Sequence, residues 1–177
     1  MRSVRIVLGG TVAALALVAV ATPAAAAPSV DSDTSFTAFS GSLDITAPDP
    51  VDLGFVQVGV PAAVSFGNVQ VTDGRSEAPS TGTWTAQVSS TAFANAAAGA
   101  TVPASAITYV IPFCTVVGTT TCTPTAPVTL SGAPQTVVNA TTASTGDTAT
   151  WNPQFQFTVP AGSAPGTYRG TVTHSVF

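Results

Sequence analysis

The chain contains Gly82-Thr83-Trp84-Thr85-Ala86-Gln87-Val88-Ser89, in which apolar side chains alternate with hydroxyl and amide side chains. A side-chain period of two places Trp84, Ala86 and Val88 on one face of a β-strand and the polar residues on the other. The strand is therefore predicted to be half buried, with its apolar face against a core.

Similar short patterns recur along the chain. Candidate strands lie within residues 36–45, 53–60, 62–72, 107–111, 128–130, 135–140, 155–159 and 166–177. An Ala-rich passage at residues 93–101 is interpreted as a short helical turn or a loop. Short strands with frequent turn signals and no convincing helix predict an all-β fold, an antiparallel β-sandwich of the Ig-like type. A closed β-barrel is the alternative architecture.

The composition supports β structure and one domain. The chain has 177 residues, of which only 7% are charged, and it contains no Lys. Helix surfaces usually carry Glu and Lys four residues apart, so their scarcity disfavours helices. Most polar surface must come instead from Thr, Ser, Asn and Gln.

The N-terminal residues have the features of a secretory signal. Arg2 and Arg5 precede an apolar run at residues 6–21, and small residues follow at 24–27. We predict a signal peptide at residues 1–26, a flexible leader at 27–34 and one domain at 35–177. The alternative is an uncleaved membrane anchor. Cleavage predicts a secreted protein, extracellular or associated with the cell wall, with no transmembrane span afterwards.

Cleavage changes the charge of the chain. The chain has four Arg and eight acidic residues, and two of the Arg lie in the signal, which leaves 2 − 8 = −6. Affinity for nucleic acid comes chiefly from Lys and Arg that neutralise phosphates. Nucleic acid is therefore excluded as a partner.

Two cysteines, Cys114 and Cys122, are separated by seven residues that include Gly118. This spacing favours a disulfide across a short loop over a redox or zinc pair, in agreement with export. The disulfide is predicted to have a structural role.

Two segments carry a family resemblance. Trp84-Thr85-Ala86 follows Val71-Thr72-Asp73-Gly74-Arg75, and the segment from Tyr168 to Val176 follows Val159-Pro160-Ala161-Gly162. With these motifs the chain, from Leu43 to Phe177, resembles the WxL domain of secreted Gram-positive surface proteins. Ala86 stands where the family has its first Leu, His174 where it has its distal Trp, and Val176 where it has the following Leu.

The resemblance implies a function at the cell surface. Members of that family bind the cell wall noncovalently through peptidoglycan, and some act in complexes with other exported surface proteins. Our first interpretation is therefore a secreted, noncatalytic protein that binds cell-wall peptidoglycan or polysaccharide. The alternative is a structural or assembly protein that pairs with other exported surface proteins.

Five side chains are candidates for ligand binding. One interpretation of Trp84 is that its indole stacks on a sugar. Ala86 and Val88 share the same face of the strand, however, and this favours packing of Trp84 in the core. The alternative for Tyr168 is a corner tyrosine, whose hydroxyl forms a hydrogen bond with the backbone. Trp151 precedes Asn152-Pro153 at a loop edge, where an exposed indole is expected. The set consists of Trp84, Trp151, Tyr168, His174 and Arg75.

Catalysis and cofactors are not predicted. The sequence has no Gly-x-Ser-x-Gly elbow, it lacks Lys for a Ser-Lys pair, and His174, the single His, is assigned a structural or surface role. Asp73 and Glu77 are candidates for Ca²⁺ binding, with charge compensation by Arg75 as the alternative. No other cofactor is expected.

Overall fold

The computed structural model describes residues 41–75, 82–142 and 146–177, with only the backbone described at Thr142. The predicted signal peptide, the leader, the start of the domain and Glu77 lie outside these residues. In the described part of the chain, no helix has both the length and the apolar character needed to cross a membrane.

The described residues form short strands and one turn of 3-10 helix, Ala104–Ala106. The strands are β1 (Leu43–Thr46), β2 (Pro61–Ser65), β3 (Val69–Asp73), β4 (Gly82–Ser90), β5 (Phe93–Asn95), β6 (Ala100–Val102), β7 (Ile107–Val110), β8 (Cys114–Val117), β9 (Thr121–Pro124), β10 (Val128–Thr129), β11 (Gln135–Thr142), β12 (Asp147–Trp151), β13 (Gln154–Thr158) and β14 (Val172–Val176). Every pairing between them is antiparallel.

The first layer of the fold consists of two sheets that continue into one another. Their strand orders are β1-β3-β12-β8 and β10-β7-β13-β2. Strand β12 pairs with β3 and β8 in the first sheet, and β13, the next strand along the chain, pairs with β2 and β7 in the second. Strand β2 likewise precedes β3 directly, and β7 precedes β8. Each of these strands is joined along the chain to a strand at the matching place in the other sheet. The two sheets are therefore halves of one layer that bends in the middle.

The bend is held by Asn152, whose side-chain Oδ1 accepts hydrogen bonds from Ser65 Oγ at 2.6 Å and Gly67 N at 3.2 Å. Gly67 has a φ of 104°, and a Cβ there would lie 2.8 Å from Cγ of Pro48. Only glycine fits this combination of positive φ and close approach. The side chain of Asn152 and the backbone conformation of Gly67 thus stabilise the bend.

The second layer is the sheet β14-β4-β11-β9. Trp84, Ala86 and Val88 of β4 are buried in one hydrophobic cluster with residues of the first layer, including Val71 and Phe155. The prediction of an antiparallel β-sandwich is confirmed. The alternative of a closed barrel is wrong, because each sheet has an end strand on either side and does not close on itself.

Two local predictions differ from the structure. Residues 53–60 form no strand, because Gly54 and Gly59 both have a φ of 75° and interrupt extended backbone, so β2 begins only at Pro61. Residues 93–101 form the hairpin β5–β6 instead of a helical turn. Asn95 closes this hairpin by accepting a hydrogen bond from Ala98 N.

The predicted disulfide between Cys114 and Cys122 is confirmed. Cys114 begins β8 in the first layer and Cys122 lies in β9 of the second layer. The bond therefore joins the two layers at one edge of the sandwich, and its role is structural.

Reduction of this disulfide is expected to lower the free energy of unfolding by roughly 2 to 3 kcal/mol, because a short closed loop removes entropy from the unfolded chain. Urea denaturation with and without reductant measures the change. The double variant Cys114→Ala, Cys122→Ala is the control and should not respond to reductant. An unchanged midpoint in the fully reduced chain would contradict this prediction.

Candidate functional site

Both tryptophans lie in the core. Trp84 is 2% exposed and Trp151 is 1% exposed. The preference for core packing of Trp84 is confirmed, whereas the expectation of an exposed Trp151 is wrong, because β12 carries it inward at the bend before Asn152. Neither indole is available to stack on a ligand at the surface.

Trp151 begins a chain of hydrogen bonds between the layers. Its Nε1 donates to Tyr109 Oη at 3.1 Å, and Tyr109 Oη lies 3.0 Å from Nε2 of His174. Because the phenol oxygen accepts from the indole, its own hydrogen is free to be donated to His174. A phenol that donates to Nε2 requires the neutral imidazole to carry its hydrogen on Nδ1.

Burial keeps these groups neutral. Desolvation lowers the pKa of His174 to about 4, and it raises the pKa of Tyr109 above its ordinary value of 10.0. The rings of Phe66 and Tyr109 pack 5.2 and 5.8 Å from the imidazole. The structural role assigned to His174 from the sequence agrees with this geometry. Tyr109 was missed, because its partners lie 42 and 65 residues away along the chain.

A cleft of about 240 Å³ opens beside His174 between the end of β1 and β14. Asp49 contributes a carboxyl to its lining. The Nε2 atom of His174 is already engaged by Tyr109, which leaves Nδ1 as the ring atom with hydrogen-bonding capacity for this space. The residues that line the cleft are Ile45, Thr46, Ala47, Pro48, Asp49, Thr171, Val172 and His174.

Arg75 is paired with Asp73. Its Nε and Nη2 donate to the two carboxylate oxygens at 2.9 and 2.8 Å, and Nη2 also reaches the carbonyl of Thr83 at 3.3 Å. The hydrogen bond from Arg75 is the main cause that lowers the pKa of Asp73, against the effect of burial. The alternative of charge compensation therefore describes Asp73 better than Ca²⁺ binding does. Within the described ranges, His, Cys, Asp and Glu form no group of three or more suited to a metal ion.

Asp147 is a second buried carboxylate that the sequence did not single out. It lies opposite Asp73 in the pairing of β12 with β3. Its Oδ2 accepts hydrogen bonds from the backbone N and Oγ1 of Thr119, at 2.8 and 3.1 Å, and from Oγ1 of Thr120 at 2.9 Å. Asp147 thus holds the turn between β8 and β9. The sequence signal for it is weak, since the hydroxyls are 27 and 28 residues away.

Tyr168 is a corner tyrosine. Its hydroxyl donates to the carbonyl of Ala164 at 2.8 Å, four residues upstream. This contact confirms the alternative weighed for Tyr168 and explains a Tyr at this position by the geometry of the turn before β14.

The outer face of the second layer consists mainly of uncharged polar side chains. The inward-pointing Trp84, Ala86 and Val88 leave the intervening β4 side chains outside, and the register extends this face to the neighbouring strands. We call it the hydroxyl face. Its polar members are Thr83, Thr85, Gln87, Ser89, Thr121, Thr123, Thr136, Asn139, Thr141, Thr173 and Ser175.

The hydroxyl face carries no ionisable side chain among these members, and one aromatic ring lies at its edge. Phe177 exchanges backbone hydrogen bonds with Thr85 at 3.0 and 3.1 Å, so the two side chains point to the same face. The Phe177 side chain is 67% exposed. Hydroxyl, amide and exposed aromatic groups together bind sugars by hydrogen bonds and by stacking on C–H faces.

A wider groove, of about 490 Å³, lies on the other layer beside β2 and β13. Its lining contains Pro61, Ala63, Gln156 and Phe157 and has no acid, base or thiol. This groove offers contact area but no group for acid–base chemistry.

No family model, curated protein or solved structure matches this chain. The fold and its chemistry define the class: an antiparallel β-sandwich with both tryptophans in its core and an uncharged polar face on its second layer.

The two tryptophans are expected to differ in their response to replacement by phenylalanine. Trp84 Nε1 is buried without a hydrogen-bond partner among the described residues, whereas Trp151 Nε1 bonds to Tyr109. Trp151→Phe should cost about 1 to 2 kcal/mol more than Trp84→Phe, because only the former removes a hydrogen bond. Urea denaturation of both variants checks this, and equal losses would contradict it.

Proposed function

We propose that this chain is a secreted, noncatalytic protein that associates noncovalently with the cell wall by binding peptidoglycan or another wall polysaccharide. The observation that carries the proposal is the hydroxyl face, an uncharged sheet surface of Thr, Ser, Gln and Asn with Phe177 at its edge. Such a surface matches a ligand made of hydroxyl and amide groups.

The charge of the chain supports the same class of ligand. At a net charge of −6 after signal cleavage, the protein would be repelled by an anionic wall. Attraction must therefore come from hydrogen bonds and stacking, which a neutral face supplies without a charge penalty. The disulfide and the predicted signal peptide support export.

The resemblance to WxL domains supports the proposal because members of that family are exported proteins that bind the cell wall. The tryptophan of the motif does not itself support it. Trp84, which aligns with the first motif, is buried, and His174, which stands at the place of the distal Trp, bonds to Tyr109. The two positions that align with the tryptophans of the motif, Trp84 and His174, are therefore not the ones that would contact a ligand at the sheet surface.

A pull-down of the purified chain on purified peptidoglycan sacculi, with and without Ca²⁺, tests the proposal. We expect retention in both buffers, because Asp73 is already paired with Arg75. Variants that carry Thr85→Ala with Gln87→Ala should be released more easily, while Thr115→Ala with Thr150→Ala on the other layer is the matched control. If the unmodified chain is not retained on the sacculi in either buffer, the proposal of wall binding is wrong.

A role in assembly with other exported proteins is the second candidate. Phe113 and Val117 are 66% and 69% exposed, and both flank or belong to β8, an end strand of its sheet. An end strand with exposed apolar side chains is suited to pairing with another chain. Co-purification of one exported protein, lost in Phe113→Ser, together with no retention on sacculi, would favour this candidate.

A further inference from the structure

The register of the second layer lines up four side chains across its strands. Thr123 lies opposite Asn139, Asn139 lies opposite Thr85, and Thr85 lies opposite Phe177. These residues come from β9, β11, β4 and the residue that follows β14. They form a continuous row across the hydroxyl face, which we call the cross-strand row.

The row has both kinds of group that hold a sugar chain. Asn139 and Thr123 are exposed, Thr85 is half-buried, and the Phe177 ring is available at one end. The amide and hydroxyls each donate and accept hydrogen bonds. The ring can pack against the C–H face of a pyranose, as aromatic side chains do with apolar surfaces.

The spacing of the row selects the shape of the ligand. Neighbouring strands are about 4.8 Å apart, so four positions span about 14 Å. This spacing is close to the advance of one pyranose ring along an extended β-1,4-linked chain. An α-linked chain coils and would leave the face after one or two rings.

The twist of the sheet also limits the ligand. Adjacent strands rotate by about 20 to 25° relative to one another, so the row is not planar. A single glycan chain follows such a twist, whereas a flat crystalline surface meets only part of it.

We propose that the cross-strand row is the binding site for a single extended, uncharged β-1,4-linked glycan, which runs across the strands at about one sugar ring per strand and stacks on Phe177. This inference rests on the proposed function and adds the linkage, the direction and the residues of the site.

The test compares two soluble glucose tetramers that differ only in linkage, cellotetraose (β-1,4) and maltotetraose (α-1,4). Binding to the full chain is measured by NMR titration or calorimetry. We expect cellotetraose to bind at least tenfold more tightly. Phe177→Ala should weaken its binding by about tenfold, the equivalent of one aromatic contact of about 1.4 kcal/mol.

Phe113→Ala is the matched control, because Phe113 is as exposed as Phe177 but precedes β8 in the other layer. It should leave cellotetraose binding unchanged. Both phenylalanines are on the surface, and unfolding curves confirm that each variant is folded.

The outcomes separate this inference from the function on which it rests. Equal binding of the two tetramers overturns the assignment of linkage and direction, and an unaffected Phe177→Ala overturns the assignment of the row. Retention on sacculi without binding of either tetramer overturns this inference and leaves wall binding in place. If the chain binds neither the sacculi nor either tetramer, both the proposed wall binding and the proposed glycan site are wrong.

Discussion

Replacement of Gly118 by alanine is expected to lower the free energy of unfolding by about 3 kcal/mol, through backbone strain and overpacking. Gly118 has a φ of 108°, a conformation that L-residues with a Cβ rarely adopt. A Cβ at this position would also collide with the carboxylate of Asp147. That carboxylate cannot retreat easily, because Thr119 and Thr120 hold it in a buried position.

Gly132→Ala is the matched control for this change. A Cβ at Gly132 meets no atom within 4 Å, and its φ is not positive. Urea denaturation of the two variants should therefore show a large loss for Gly118→Ala and almost none for Gly132→Ala. Similar midpoints for the two variants would mean that the turn between β8 and β9 adapts, and would contradict the prediction.

Acid is expected to destabilise the sandwich through His174. The pKa of His174 is about 4 in the folded chain, against an ordinary value of 6.5. The unfolded chain therefore binds more protons between these values, so stability is complete above pH 6.5 and falls as the pH drops towards 4. The gap between a pKa of about 4 in the folded chain and 6.5 in the unfolded chain corresponds to about 3 kcal/mol.

The surroundings of His174 explain the sign. Phe66 and Tyr109 pack against the ring, the phenol of Tyr109 occupies Nε2, and Asp49 is the carboxyl in the adjacent cleft. Protonation would place a charge among aromatic rings and break the bond in which Nε2 accepts. Asp73 behaves differently, because its lowered pKa removes stability only as the pH falls below about 3.8.

The measurement is the free energy of unfolding at a series of pH values from 7.5 to about 4, for the unmodified chain and His174→Gln. The variant should lose most of the slope between pH 6.5 and 4, since it has no imidazole to titrate. NMR titration of the His174 ring gives its pKa directly. A ring that titrates near 6.5 in the folded chain would contradict the prediction.

Much of the fold follows from local patterns. The alternation at Trp84, Ala86 and Val88 predicted a half-buried strand, and these residues are in the core. The short spacing of Cys114 and Cys122 predicted their disulfide, and a corner tyrosine was one of the alternatives for Tyr168 that the structure now shows. In each case the partner is near in sequence or the signal is the side-chain period itself.

The failures have two causes, long-range contacts and a local backbone conformation that composition alone does not predict. Trp151 was expected at an exposed loop edge, but the bend at Asn152 turns its strand into the core, where Tyr109 accepts its hydrogen bond. Residues 53–60 have strand-like composition, yet Gly54 and Gly59 interrupt them. No local pattern says which distant residue will meet which.

The candidate site shows the same division. The alternation of residue types along β4 is enough to predict one apolar and one polar side, because successive side chains of a strand point in opposite directions. The sequence also determines a chain poor in charge. The cross-strand row of Thr123, Asn139, Thr85 and Phe177 exists only in the folded chain, since its alignment depends on the register of β9, β11, β4 and β14. Register is set by pairing between distant segments, and a shift of one residue would turn each of these side chains to the opposite face.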